Sequence, residues 1–165
     1  MLDQVLEIIR SARPESQQSE ADFQNTLIEA LRKGLPQGAK VIREFKGNQS
    51  RRLDIGIHYE YRGPAPLAWW VFGGFIGGLI KSAIPDKHKA YVEIKKDLSE
   101  QNELHRLIGQ ISINEQDGFL PLIVVLFGNT DLQMKESLEH FLDGHEKTHL
   151  VDIPYFPPLR LESAS

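Results

Sequence analysis

The sequence predicts an α/β domain: a mixed central β-sheet flanked by helices. Three observations lead there. Apolar residues recur at helical spacing in some stretches and alternate or run unbroken in others. Those stretches follow the order helix, three strands, helix, strand, helix, strand, behind an additional amphipathic helix at the start. The length of 165 residues, with 41% hydrophobic and 25% charged residues, suits one compact domain with a real core. The predicted single domain spans 1–165, with its core at about 19–153, an apolar insertion at about 62–89 and an irregular C-terminal arm at 154–165.

Each element has its own warrant. Residues 1–10 place Leu2, Val5, Leu6 and Ile9 at helical spacing. Residues 13–18 are polar and carry a proline, as a short linker does. A second helix starts at Ser19, where Asp22 completes a capping-box pattern, and ends at Gly34 and Pro36. Its apolar stripe is Phe23, Leu27, Ala30 and Leu31, while Asp22, Thr26, Glu29 and Lys33 share a polar stripe. Residues 39–45 read as a strand and 46–50 as a turn. In 53–59, Leu53, Ile55, Ile57 and Tyr59 alternate on one face, the period of a half-buried strand. A third strand covers 90–95. Ser99 then caps a helix running to about Glu115, with Leu104, Leu107, Ile108 and Ile111 inward. The nearly all-apolar 121–127 suits a strand covered on both faces. Residues 131–144 form a helix with Leu132, Leu138 and Leu142 inward, and 148–153 a last strand.

Composition narrows the chemistry. There is no cysteine, which excludes disulfides, thiolate zinc sites and a cysteine nucleophile. A metal site must use Asp, Glu, His and backbone oxygens. With 19 Lys+Arg against 23 Asp+Glu, the net charge of −4 excludes a uniformly basic binder of nucleic acid. The total conceals a local contrast. Between Arg32 and Arg52 lie seven basic residues and one acid, Glu44, whereas residues 130–165 carry seven acids against three bases.

Two strands carry acids where apolar strands rarely tolerate them. Asp54 follows Leu53, and Glu93 lies between Val92 and Ile94. Lys95 is two residues beyond Glu93, so the strand period puts both side chains on one face. Acid and ammonium groups emerging from a core strand are costly unless paired or used. The arrangement suits metal-dependent phosphodiester cleavage. Asp54 and Glu93 would hold Mg²⁺ or Mn²⁺, with the Ile94 carbonyl and waters completing the shell. Lys95 would orient water or stabilise transition-state charge, and Glu29 would join the metal shell or hold one of its waters, with Glu20 and Glu44 as rival acids.

Glu29, Asp54 in RRLDIGI, Glu93-Ile94-Lys95 in YVEIKKDL and Gln110 in HRLIGQI together resemble the PD-(D/E)xK nuclease superfamily. The resemblance covers about two-thirds of the chain, and it implies a restriction-endonuclease-like αβββαβ core with the apolar insertion between its second and third strands. It also implies a nuclease in which Asp54 and Glu93 bind metal, Lys95 is catalytic, and Glu29 and Gln110 complete the site. The residue before Asp54 is Leu53 where the family pattern has proline, and the interval from Asp54 to Glu93 is long. The alternative class of function is a catalytically silent domain of the same fold that serves as a binding or assembly module, with residues 63–84 as its contact to a partner or a membrane.

The expected partner is nucleic acid, DNA in the first instance. Arg43, Lys46, Arg51, Arg52, Lys96 and Arg106 would meet its phosphates by position and charge. No Walker-type loop, Gly-x-Ser-x-Gly elbow or HExxH pair is present. Residues 63–80 are 18 consecutive uncharged residues containing GxxxG spacings. A membrane span there would part the strands of Asp54 and Glu93. The segment therefore reads as an insertion that packs on the domain or on a second copy in a homodimer, with membrane contact less favoured. No secretory signal opens the sequence, so a cytoplasmic protein is expected.

Overall fold

The computed structural model describes residues 1–14, 18–46, 52–61 and 86–155. Among the described residues nine elements follow in order: α1 (Leu2–Ser11), α2 (Glu20–Gly34), β1 (Lys40–Lys46), β2 (Arg52–Tyr61), β3 (Asp86–Lys96), α3 (Gln101–Gln116), β4 (Leu122–Phe127), α4 (Leu132–Leu142) and β5 (Thr148–Ile153). The protein is mixed α/β, and its strands form one five-stranded sheet in the order β1-β2-β3-β4-β5. The first three strands are antiparallel neighbours, while β4 and β5 run parallel to β3. The two parallel strands follow from the connections: helices α3 and α4 cross back over the sheet before β4 and β5.

The sheet has a core on each face. On one, Val5 and Ile9 of α1 and Phe23, Leu27 and Leu31 of α2 pack on Ile55, Ile57, Val92, Ile94 and Val125. Phe23 stacks on Phe127 with ring centroids 4.3 Å apart. On the other, Leu104, Leu107 and Ile111 of α3 and Leu138 of α4 cover Tyr91, Leu122, Val124 and Leu126. Every residue of β4 is buried, as its unbroken apolar run requires.

Local signals set most boundaries. Ser19 caps α2 by accepting the Asp22 N–H, and Asp131 caps α4 by accepting those of Gln133 and Met134. Several expectations need correcting. The α3 N-cap is Glu100 rather than Ser99. Leu132 is 66% exposed, because it lies in the first turn of α4, ahead of the part that reaches the sheet. Leu53 is buried with Phe45 and the α3 side, whereas Ile55 and Ile57 face the other core. The alternation breaks beside Glu44, whose φ of 47° turns the backbone left-handed.

β3 also starts earlier than its apolar stretch suggests. Residues 86–89, expected in the insertion, pair with residues 58–61 of β2. The apolar segment 63–80 and the terminal arm beyond Tyr155 lie outside the described residues. Among the described residues no helix is long and apolar enough to cross a membrane.

Candidate active site

The site is built where β2 and β3 part. Their antiparallel ladder runs from Tyr61↔Asp86 to Ile55↔Val92, while β3 continues along β4 to Lys96. Beyond Val92, β3 therefore has β4 on one side and an open fork on the other. Alternate N–H groups of a strand point to the same edge, so Ile94 and Lys96 direct theirs into the fork. A buried N–H needs an acceptor. Asp54 Oδ2 accepts from Ile94 at 2.6 Å, and Glu20 Oε2 accepts from Lys96 at 3.2 Å. Two carboxylates thus stand where a strand would otherwise pair.

Asp54 itself is skipped by the β1 ladder, whose register is the same on either side of it. That ladder passes from Arg43↔Ile55 to Phe45↔Leu53, with Glu44 and Asp54 between them outside it. The released Asp54 carbonyl accepts from Gln24 Nε2 of α2 at 2.7 Å. Two positions on, Gly56 lets the Phe45 ring lie against the strand: a Cβ there would stand 2.8 Å from Phe45 Cγ and Cδ2.

Burial dominates the electrostatics. It pushes the Asp54 carboxyl up to about 6, against the opposing effect of the Ile94 N–H, with Glu20 and Glu44 adding to the rise. Glu93, 8% exposed, is pushed up to about 8 by burial first, then by the charges of Asp54 and Glu20. Lys95 and Arg106 act the other way on Glu93. Lys95 is half-buried and its Nζ lies 3.6 Å from Glu103 Oε1 at the start of α3. The fork thus gathers more negative charge than its cations offset, a condition that favours a divalent cation or a proton.

The fork brings Asp54, Glu93, Ile94 and Lys95 together, and Arg106 reaches it through its field. Glu29 stands elsewhere. It is exposed on α2, 4.0 Å from Lys33 in an i, i+4 pair, because the polar stripe it shares with Asp22 and Thr26 is the helix's solvent face. The α2 acid at the fork is Glu20. Gln110 is exposed on α3 and lines a shallow cleft with Arg52, Ile113 and Asn114.

The expected phosphate contacts divide similarly. Arg43 and Lys46 are exposed on β1, and Arg52 is exposed 3.5 Å from Glu44. Lys96 is engaged locally, with Asp97 Oδ2 at 3.7 Å and a hydrogen bond to the Tyr155 hydroxyl that raises its pKa. Arg51 lies outside the described residues. Sequence reasoning missed Gln24 altogether. Its signal was the i, i+4 spacing from Glu20 on the stripe that also carries Leu27 and Leu31, a polar residue at a core position.

The donor chemistry fits a hard divalent cation. Asp54 keeps Oδ1 for a ligand, Glu93 brings a second carboxylate, and the Ile94 carbonyl points to the same edge as its N–H. Among the described residues no three His, Asp or Glu side chains are grouped to hold a metal ion by themselves. An open, partly hydrated shell is the arrangement Mg²⁺ favours. Compared with known proteins, the chain matches no family model, no curated protein and no solved structure.

Proposed function

We propose that the protein is a divalent-metal-dependent nuclease that hydrolyses phosphodiester bonds, with DNA as its substrate and a restriction-endonuclease-like αβββαβ core. The observation that carries the reading is the fork: a buried Glu93 and a half-buried Asp54, both with raised pKa values, beside a lysine at the open edge of a core strand. The run α2, β1, β2, β3, α3, β4, with an antiparallel trio and a parallel fourth strand, supports the same reading.

Asp54, Glu93 and the Ile94 carbonyl would hold Mg²⁺ or Mn²⁺. An ion held there would supply Lewis acidity for a water nucleophile and positive charge beside the phosphate. Lys95, steadied by Glu103, places an ammonium beside the reacting phosphate and stabilises its developing charge. Arg106 contributes positive potential over Glu93. Glu20 and Gln24 hold the strands that carry the ligands.

The test is cleavage of plasmid DNA, single-stranded DNA and RNA with Mg²⁺ or Mn²⁺, comparing wild type with Asp54→Ala and Lys95→Ala. Cutting that requires metal and is lost in both variants supports the reading. Metal-dependent cutting that survives both removes the fork from the chemistry. No cutting of any substrate, with a stable complex formed instead, favours a binding or assembly module of the same fold.

A further inference from the structure

We propose that Gln24 is the positioning residue that sets Asp54 for cation binding, an inference that rests on the metal-site reading above. Asp54 sits where the backbone has lost its usual restraints. The β1 ladder skips it, because Glu44 opposite is left-handed, and the β3 ladder ends one residue away at Ile55↔Val92. Two other bonds grip it. Gln24 Nε2 donates to its carbonyl at 2.7 Å, and its Oδ2 accepts the Ile94 N–H at 2.6 Å. One fixes the peptide and the other the carboxylate, so Oδ1 is left with a defined direction.

Gln24 is costly unless it has that task. It is 6% exposed, on the α2 face that buries Phe23, Leu27 and Leu31. An apolar side chain there would extend the core without desolvating an amide. The buried amide instead spends its donor on the residue that carries the first carboxylate. One turn earlier, Glu20 takes the Lys96 N–H. The same helix stripe therefore holds β2 through Gln24 and β3 through Glu20, and it sets the opening of the fork from outside.

Groups that orient metal ligands change affinity by roughly 10–100-fold when removed. The test titrates Mn²⁺ into the full chain by calorimetry, beside circular-dichroism melting and cleavage assays. Gln24→Met keeps the volume and deletes the donor; Gln24→Glu keeps the size and turns the donor into an acceptor. Gln24→Met is expected to bind Mn²⁺ about tenfold more weakly, with cleavage recovering to within a few-fold of wild type at saturating Mn²⁺. Gln24→Glu is expected to bind more weakly still.

A folded Gln24→Met with wild-type Mn²⁺ affinity overturns the inference. So does an equal loss of affinity in Phe23→Leu, which loosens the same helix without touching Asp54. Asp54→Asn keeps the two failures apart. Should wild type bind no Mn²⁺, or Asp54→Asn bind it equally well, the metal-site reading falls and takes this inference with it. Should Asp54→Asn alone lose Mn²⁺, the site stands and only the role of Gln24 is refuted.

Discussion

At the β5 edge of the sheet, Asp152 meets the Lys135 ammonium of α4 at 2.7 Å, and Glu115 of α3 receives His145 Nδ1 at 2.8 Å and the Thr148 hydroxyl. At the fork, Asp54 and Glu93 face a main-chain N–H and a lysine whose nearest acid is Glu103. Both regions contain partly buried acids, yet their surroundings differ. At the edge each acid has a dedicated partner, and the Asp152 hydrogen bond raises the Lys135 pKa, as a pair built to stay charged should. At the fork, burial and mutual repulsion raise the acids instead. A dedicated ion pair fastens α4 to β5. Poorly compensated acids hold the fold at a disadvantage that a bound cation would relieve, the imbalance on which the proposed metal site rests.

The contrast is sharpest between the two lysines. Lys95→Ala is expected to lower metal-dependent cleavage by roughly 10³-fold while leaving the melting temperature within a few degrees of wild type. Lys135→Ala is expected to do the reverse. It strands a partly buried Asp152 and costs about 2 kcal/mol of stability, or roughly 4–8 °C in melting temperature. Cleavage at a temperature where it remains folded should stay within about twofold of wild type. A Lys135→Ala protein as stable as wild type, or as inactive as Lys95→Ala, would dissolve the distinction.

A pH series reaches the same contrast without removing a lysine. An acid with a higher pKa folded than unfolded keeps its proton longer in the native state, so stability falls as pH rises between the two values. For Asp54 the window runs from 3.8 to about 6, and for Glu93 from 4.5 to about 8. Urea unfolding in chelator should therefore show wild type losing stability from pH 5 to pH 8. Asp54→Asn keeps an acceptor for the Ile94 N–H and removes one charge. It should be about 1 kcal/mol more stable than wild type at pH 8 and indistinguishable from it near pH 4. A wild type that gains stability across that range would contradict the account of the fork.

Much of the scaffold was legible because each signal was local. The cap at Ser19, the apolar run of β4 and the limits of β5 all follow from side chains within a few positions. The pairing of Asp54 with Glu93-x-Lys95 was legible as an energetic anomaly, acids embedded in apolar strands. The fork was not. It depends on a left-handed Glu44, on a ladder that stops at Val92, and on a helix that supplies acceptors and donors to strands 30 to 76 residues away. The early start of β3 was also hidden, since residues 86–89 (DKHK) carry no apolar alternation and become a strand by pairing with β2.

The helix acid shows how the two kinds of signal conflict. Periodicity places Glu29 on the polar stripe of α2, while the metal-site reading of the acids and the resemblance to a nuclease family both assign it to the metal shell. In the structure Glu29 meets Lys33 on the exposed face, and Glu20 meets the fork. Nine residues at 1.5 Å each separate them by about 13 Å along the helix, too far for both to serve one cation. Glu20→Gln keeps an acceptor for the Lys96 N–H but removes a charge that raises both Asp54 and Glu93. It should therefore alter the Mg²⁺ concentration for half-maximal cleavage by about threefold. Glu29→Gln should change neither that value nor the maximal rate measurably, since an exposed i, i+4 pair contributes only about 0.3–0.5 kcal/mol. If Glu29→Gln impairs cleavage and Glu20→Gln does not, then α2 presents a different face to the chemistry, and the acid that belongs with Asp54 and Glu93 is the one on the solvent stripe.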